Sequence, residues 1–356
     1  MKIILHILLF PFSIIYGVVT FIRNKFYDWK LFKATSFNLP LIIVGNLNIG
    51  GVGKTPHVEY LIRLLEKTHK ISTLSRGYKR KTTGFVLADN NANIETIGDE
   101  PLQYFKKFKN ILVAVDEKRV NGIQQLLTLK PKVECIILDD AFQHRAIIAG
   151  LNILVTDYNN LYINDTVLPS GRLREWKTGM KRAQLIIVSK CNPNLTDKEM
   201  RSISHKINPF NYQEIYFSAI KYGKLTSISK KANNSKINDI DFDSALIITG
   251  IANPAPFIKE ISSKFKKFDH IKFSDHHQFN ENDIKTIKER YNNLKGNNKI
   301  LITTEKDFMR LSLPEILQEL NDIPFYYIPI EIYFLGNGKE NFDTQINNYV
   351  TTNTRN

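Results

Sequence analysis

A chain of 356 residues is long enough, at roughly 150 residues per domain, for about two domains and at least one full hydrophobic core, which excludes a disulfide-stapled mini-protein. Hydrophobic residues make up 43% and charged residues 24%, close to the soluble globular average, so wholesale disorder and a polytopic membrane protein are both disfavoured. The formal net charge of +14 favours an acidic partner, whether nucleic acid, an anionic membrane surface or a phosphorylated ligand.

The chain opens on a segment of a different kind. From Ile3 to Ile22 the sequence IILHILLFPFSIIYGVVTFI carries no formal charge and is just long enough to span a bilayer. Arg23, Lys25, Lys30 and Lys33 follow, mixed with Phe26, Tyr27, Trp29 and Phe32, the pattern of a membrane–water interface on the cytoplasmic side. Only Lys2 precedes the apolar run and no small-x-small cleavage site follows it, so an uncleaved anchor over residues 1–35 is expected rather than a signal peptide. It either spans the membrane or lies in the interface, and Pro11 would kink any helix passing through it. The competing reading is a buried core helix.

Beyond the anchor, short apolar runs alternate with segments of helical period: Leu41–Val44, Ile71–Leu74, Ile111–Val115, Val133–Leu138, Leu151–Thr156 and Leu185–Ser189. Unalternated runs of this kind read as parallel strands covered on both faces, an α/β sheet over residues 36–220. Lys221 to Asp243, rich in Lys, Ser, Asn and Asp, reads as a linker. A second, smaller α/β domain is expected over 244–335, with strands near Ala245–Thr249, His270–Phe273, Lys299–Thr303 and Phe325–Ile330, followed by a polar, frayed tail over 336–356. Cys135 and Cys191 are the two cysteines; neither belongs to a CxxC pair, so no zinc site or disulfide framework is indicated and a reducing, cytoplasmic setting fits.

The strongest local signal is LIIVGNLNIGGVGKTPHVEYLIRLL, residues 41–65. It runs strand, glycine-rich loop, Gly53-Lys54-Thr55, then a helix with Val58, Leu61, Ile62 and Leu65 on one face. Such a loop lets backbone N–H groups of Gly50, Gly51, Val52 and Gly53 converge on phosphate oxygens, brings Lys54 to the β- and γ-phosphates, and offers the Thr55 hydroxyl to magnesium. The first glycine of G-x-x-x-x-G-K-[ST] would fall at Asn48; the glycine stands at Gly45 instead, so this is a longer, Gly-Gly variant. Nucleoside triphosphate binding is expected. A carboxylate at the end of a neighbouring strand should help hold the magnesium, and Val133–Leu138 followed by Asp139 and Asp140 supplies one.

With ILDDAFQHR, residues 137–145, the sequence resembles the tetraacyldisaccharide 4′-kinase family, the lipid A 4′-kinases of Gram-negative bacteria. The matching segments are GNLNIGGVGKTP (45–56), SRGYKRK (75–81), GDEP (98–101), LDDAFQHR (138–145), LPSGRLRE (168–175), ITGIANP (248–254), FSDHHQF (273–279) and TTEKD (303–307). They occur in order over nearly the whole chain. The resemblance implies a P-loop NTPase-type fold and an enzyme of the bacterial inner membrane, cytoplasmic face. Its reaction would move the γ-phosphate of ATP, with Mg2+, to the 4′-hydroxyl of a tetraacylated glucosamine disaccharide 1-phosphate, the lipid A disaccharide precursor. The anchor and the basic balance suit a phosphorylated lipid and inner-membrane phospholipids.

Roles follow from what phosphoryl transfer needs. Lys54 and Thr55, with Asp139 or Asp140, neutralise and position the phosphates with magnesium. Asp99, in IGDEP, is the expected base, as the resemblance also suggests; an isolated aspartate is a weak base, so His276 in SDHHQF is expected to orient it and share the proton. His277 is the competing partner, and the register of the family's motif favours His276. Without the resemblance, Asp99 reads equally well as an ordinary helix cap. Arg76, Tyr78 and His144 are candidates for the lipid's phosphate or sugar; Arg119, Gln143 and Arg174 for the nucleotide; and Glu175 for the metal. Lys190, in VSKCNP, lies at a strand end as in the NKxD element of GTPases, but the aspartate is absent and guanine specificity has no support.

The rival from another class is a membrane-associated regulatory P-loop ATPase of the partitioning type. Those proteins carry a lysine just before the first of the paired glycines, where this chain has Ile49. A nucleic-acid partner is not expected, because no helix-turn-helix, zinc or RNP-like pattern gathers the basic residues. The sequence does not indicate protein partners.

Overall fold

The computed structural model describes residues 2–233, 242–265 and 267–354. Internal contacts divide the chain into two compact units. The larger comprises Met1–Asn90, Tyr104–Ile220 and Ile332–Asn356, and the smaller Asn91–Gln103 with Lys221–Glu331.

The larger unit is built on a nine-stranded sheet in the spatial order Ile330–Phe334, Glu214–Tyr222, Leu185–Ser189, Leu151–Asp157, Leu41–Gly45, Cys135–Asp139, Ile71–Ser75, Leu112–Val115 and Val86–Leu87. The pairings from Glu214–Tyr222 through Leu112–Val115 are parallel, and the two-residue strand Val86–Leu87 closes that edge antiparallel. Alternate residues serve opposite faces of the sheet. Leu41, Ile43, Ile136, Leu138 and Leu154 enter one apolar cluster, while Ile42, Val44, Cys135, Ile137 and Ile153 enter another. Both faces are therefore buried, which is why these strands are continuously apolar in sequence. After Leu41–Gly45 the chain moves to one side for Ile71–Ser75 and Leu112–Val115, fills the gap with Cys135–Asp139, and then crosses to the other side for Leu151–Asp157. The carboxyl ends of Leu41–Gly45 and Cys135–Asp139 thus lie where the strand order reverses, the place where open α/β sheets bind ligands.

The smaller unit holds a five-stranded sheet ordered Thr226–Ser227, Phe325–Ile328, Lys299–Thr304, Ser244–Thr249 and Lys267–Lys272. All pairings are parallel except that of Thr226–Ser227. Leu246, Ile248, Leu301 and Phe325 pack on one face, and Ala245, Ile247, Ile300, Ile302 and Tyr326 on the other.

Three expectations change. Residues 221–243 are not a plain linker: Thr226–Ser227 pairs with Phe325–Ile328, Ser229 donates to Ile323 O at 2.6 Å, and Ala232 is buried, while residues 234–241 of that stretch lie outside the described residues. The segment from 336 is not frayed, because Gly338–Asn353 is a helix. Its Phe342, Ile346 and Val350, spaced four apart, are buried in the larger unit beside Tyr60, Tyr216 and Phe334; three apolar residues in a polar stretch suffice when they share one helical face. Residues 355–356 lie outside the described residues. Finally, Asn91–Gln103 belongs to the smaller unit, which places Asp99 and His276 in the same unit rather than in different domains.

The expected anchor is a helix, Lys2–Asp28, continuous through Pro11. It joins the larger unit along a polar and small stripe. Ser13 Oγ meets Ser170 Oγ at 2.8 Å, Trp176 Nε1 donates to Gly17 O at 2.8 Å, and Asn24 Nδ2 donates to Glu175 Oε2 at 2.7 Å. Gly17 is required there, since a Cβ would stand 2.6 Å from the Trp176 ring. The opposite flank leaves Phe12, Ile15, Val18 and Val19 exposed.

Candidate functional site

The strand Leu41–Gly45 is buried throughout and delivers the glycine-rich loop to the reversal point. Gly50 and Gly53 adopt φ of 107° and 94°, left-handed conformations that favour glycine, and the helix Lys54–Leu65 begins immediately after. Lys54 Nζ lies 3.1 Å from Asn46 Oδ1 and 3.4 Å from Asp140 Oδ1. Asp140 also receives Arg174 Nη1 at 2.8 Å, and these cations hold its carboxyl below the usual aspartate range despite burial. Thr55 follows Lys54 in the first turn of the helix.

Gln143 Nε2 bridges Asn46 O at 2.9 Å and Glu175 Oε1 at 3.0 Å. Glu175, 3% exposed, is further held by Arg182 at 2.6 Å and by Asn24. It braces the network and the N-terminal helix, with its oxygens already engaged. Asp139 differs: Oδ2 accepts from Tyr104 OH at 2.9 Å, while Oδ1 is buried and, among the described residues, has no hydrogen-bond partner. Burial raises its pKa. An orphaned, buried carboxylate oxygen at the reversal point fits a cation ligand, because leaving it unpaired is costly. Sequence reasoning missed Asn46, Tyr104 and Arg182; Asn46, directly after the strand, carried a positional signal, whereas the other two are linked to the site only by the fold.

A second group gathers positive charge. Arg119 is buried and gives Nη1 to Asp116 O at 3.2 Å, while its Nε has no partner among the described residues. Burial, reinforced by the charge of Arg76, pushes Arg119 down to about 10 against the pull of Asp140 and Asp139. Burial and the charges of Arg119, Arg23 and Arg76 push His144 down to about 4. Burial is the leading cause of both shifts, and for His144 three nearby arginines add to it. Tyr78 is exposed, with Lys79 over its ring.

In the smaller unit, four of the motif segments meet. Gly98, with φ of 87°, ends the short helix Ile94–Ile97, and Asp99 opens the helix Asp99–Lys107. Asp99 Oδ1 accepts from Glu100 N at 3.1 Å, and Oδ2 receives Arg310 Nη2 at 2.6 Å and His276 Nδ1 at 3.0 Å. Lys306 Nζ sits 3.3 Å from His276 Nε2 and 2.8 Å from Glu100 Oε1. Arg310 Nη2 also approaches His276 Nδ1 at 3.2 Å, so a cation reaches each ring nitrogen. Arg310 Nη1 in turn bonds Gly250 O and Asp307 Oδ1, each at 2.9 Å. Asp307 Oδ2 takes Gly250 N at 2.9 Å and Thr304 Oγ1 at 2.8 Å.

Burial opposes ionisation of Asp99, yet the hydrogen bond from His276 and the charges of Lys306 and Arg310 hold its carboxyl well below the ordinary value. Glu100 is pushed up to about 7 by burial and by the neighbouring Asp99, against Lys306. Asp99, Glu100 and His276 have ligand atoms close enough to surround an ion, and Arg310 and Lys306 already supply positive charge there. His277 is turned elsewhere, with Nε2 2.8 Å from Asp283 and its ring stacked on Phe273. His276 adopts φ of 56°, and this turn separates the adjacent histidines. Arg310 was not singled out from sequence, since one arginine a helical turn after Asp307 carries no pattern.

Comparison with known proteins identifies the family. The family model described as tetraacyldisaccharide-1-P 4′-kinase matches residues 5–351. The tetraacyldisaccharide 4′-kinase of Bacteroides thetaiotaomicron is 45% identical over 99% of this chain and 95% of its own length, and that of Flavobacterium psychrophilum is 47% identical over 98% of both. The crystal structure of LpxK from Aquifex aeolicus in complex with ATP matches with a TM-score of 0.72 at 27% identity, covering 97% of this chain and 99% of that one. The chain belongs to the tetraacyldisaccharide-1-phosphate 4′-kinase family.

Proposed function

We propose that this protein transfers the γ-phosphate of ATP to the 4′-hydroxyl of a tetraacylated glucosamine disaccharide 1-phosphate in lipid A biosynthesis. The observation that carries the reading is the family match over residues 5–351, within which the loop with its paired carboxylates and the Asp99 cluster both occur. The larger unit would hold the nucleotide, with Lys54 and the loop N–H groups of residues 50–53 on the phosphates and Arg174 and Gln143 bracing them. Thr55 and Asp139, with Asp140 beside them, would hold Mg2+, which when bound neutralises phosphate charge. The orphaned Asp139 Oδ1 supports that assignment. Arg119 and Arg76, with His144 near them, suit anionic groups of the nucleotide or lipid, with Tyr78 exposed for the sugar.

The attacking hydroxyl's proton passes to the Asp99–His276 pair acting as one unit. Asp99 is too strongly stabilised as an anion to retain a proton by itself, and the imidazole beside it spreads the charge. Arg310 and Lys306 keep that pair oriented.

The helix Lys2–Asp28 associates the enzyme with the inner membrane on its cytoplasmic face, lying in the interface. Contacts at Ser13, Gly17 and Asn24 tie its second half to the larger unit. Residues 2–12, which precede these contacts, are too short at about 1.5 Å per residue to cross a hydrocarbon core of about 30 Å. The exposed apolar flank faces the acyl chains and the basic residues from Arg23 onward face the headgroups. Detergent-solubilised protein incubated with labelled ATP, Mg2+ and disaccharide 1-phosphate lipid should yield labelled lipid; absence of product overturns the kinase reading.

A further inference from the structure

Three consecutive carbonyl oxygens of the glycine-rich loop are each taken by a side chain from elsewhere in the larger unit. Gly51 O accepts from Lys190 Nζ, Val52 O from Ser189 Oγ, and Gly53 O from His57 Nδ1 at 2.6 Å. The kinase assignment uses none of these three side chains.

Each is fixed in its turn. Lys190 Nζ also lies 2.8 Å from Asp157 Oδ2, so one ammonium spans a carboxylate and the loop. Lys190 follows the buried strand Leu185–Ser189 with φ of 57°, an uncommon left-handed conformation for a residue with a side chain. Ser189 is 1% exposed. His57 is 2% exposed, and burial drives its pKa down to about 4, so the ring is neutral near pH 7. Because a carbonyl only accepts, Nδ1 must carry the hydrogen, and Nε2 accepts from Ser218 Oγ at 2.9 Å.

The consequence follows from peptide geometry. In a planar trans peptide the C=O of one residue and the N–H of the next point in opposite directions. Holding the carbonyls of residues 51, 52 and 53 therefore fixes the N–H groups of Val52, Gly53 and Lys54, each directed away from the carbonyl pinned before it. Val52 N closes on Gly50 O at 3.1 Å, so the pins govern above all the directions of the Gly53 and Lys54 N–H groups. Two fixed N–H groups at a helix start beside the Lys54 ammonium suit an anion. A loop containing Gly50, Gly51 and Gly53 would otherwise sample many conformations and incur an ordering cost on binding.

We propose that Lys190, Ser189 and His57 are positioning residues that hold the glycine-rich loop in its phosphate-binding conformation before the nucleotide arrives, a role that rests on the loop being the ATP site. The test uses the full-length protein in detergent and measures ATP affinity by calorimetry together with KM and kcat. Lys54→Ala serves as control, beside Lys190→Met, Ser189→Ala, His57→Phe and His57→Asn. Loss of a pin should weaken ATP binding roughly three- to tenfold while kcat at saturating ATP changes less than about twofold. His57→Asn, whose amide places a donor near the position of Nδ1, should recover most of the loss. Lys190→Met, at a side chain 28% exposed, keeps the test available if His57→Phe does not fold. Unchanged ATP affinity in Lys190→Met and Ser189→Ala, with Lys54→Ala weakened, overturns the proposal and leaves the nucleotide site standing. Unchanged affinity in Lys54→Ala overturns both.

Discussion

Arg310 Nη2 stands 2.6 Å from Asp99 Oδ2, closer than His276 Nδ1, which shares that oxygen at 3.0 Å. The expected base is thus part of an ion pair with a guanidinium that also holds Asp307. Such a carboxylate is ionised at every working pH and positioned in advance, but it binds a proton weakly without the imidazole.

If the pair handles the proton as a unit, Asp99→Asn and His276→Gln should each lower kcat by about 10²–10⁴ while ATP KM changes little. The double variant should be scarcely worse than the more damaging single one. Multiplicative losses in steady-state assays would show instead that the two residues act independently.

Arg310 contributes to stability as well as to orientation. Arg310→Met leaves Asp99 and Asp307, 3% and 0% exposed, without their shared cation. Breaking a buried pair in this way costs about 3–5 kcal/mol. Denaturant titration should register that loss, and Arg310→Lys should recover only part of it, since an ammonium cannot span both carboxylates as the two guanidinium nitrogens do.

Much of this was legible in the sequence because the signals are local. Continuous apolar runs announced the buried parallel strands, and strand, glycines and Lys54 in order announced the loop. Legibility ends where a residue's role depends on what the fold brings to it. Glu214–Tyr222 is a strand of mixed polarity next to the sheet's edge, and its pattern did not stand out among short apolar runs. Phe342, Ile346 and Val350 are three residues in a polar stretch whose shared face appears only once a helix forms. Arg310, Tyr104 and Lys190 touch the site across 211, 35 and 139 residues of chain, separations at which no spacing rule operates. His276 was separable from His277 only through the family's register, and its left-handed backbone supplies the physical reason.

The orphaned oxygen of Asp139 makes a metal prediction. Asp139→Asn keeps the shape and the Tyr104 contact while removing the charge. The Mg2+ concentration for half-maximal activity should rise at least about tenfold, with partial recovery at high Mg2+. A Mg2+ response identical to that of the parent protein would move the metal role to Asp140.

The N-terminal helix can be tested on its two sides separately. Ile15→Glu and Val19→Glu alter residues 62% and 60% exposed, so they should release protein from phospholipid vesicles without lowering the unfolding midpoint. Gly17→Leu instead drives a side chain into Trp176; it should change Trp fluorescence and reduce activity on the lipid while membrane binding persists. Retention of the two glutamate variants on vesicles after a high-salt wash would mean that another surface holds the bilayer.

The buried His57 makes stability depend on pH in a direction set by its depressed pKa of about 4. Above the ordinary imidazole value near ~6.5 the ring is neutral in both folded and unfolded chains and contributes no pH dependence. Below it the unfolded chain takes up a proton that the folded chain refuses, so folding stability falls as pH drops toward about 4, by up to about 1.4 kcal/mol per pH unit. Glu100, raised to about 7, works the other way: its folded carboxyl holds a proton that the unfolded chain releases, and stability declines as pH rises from about 4.5 to 7. The net curve of the parent protein therefore conceals both. The comparison with His57→Asn isolates the histidine. The stability difference between parent and variant should be flat from pH 7 to 8 and turn against the parent between pH 6.5 and 5. Urea titrations at those pH values check it, and a difference that stays flat throughout would show that His57 keeps its proton in the fold.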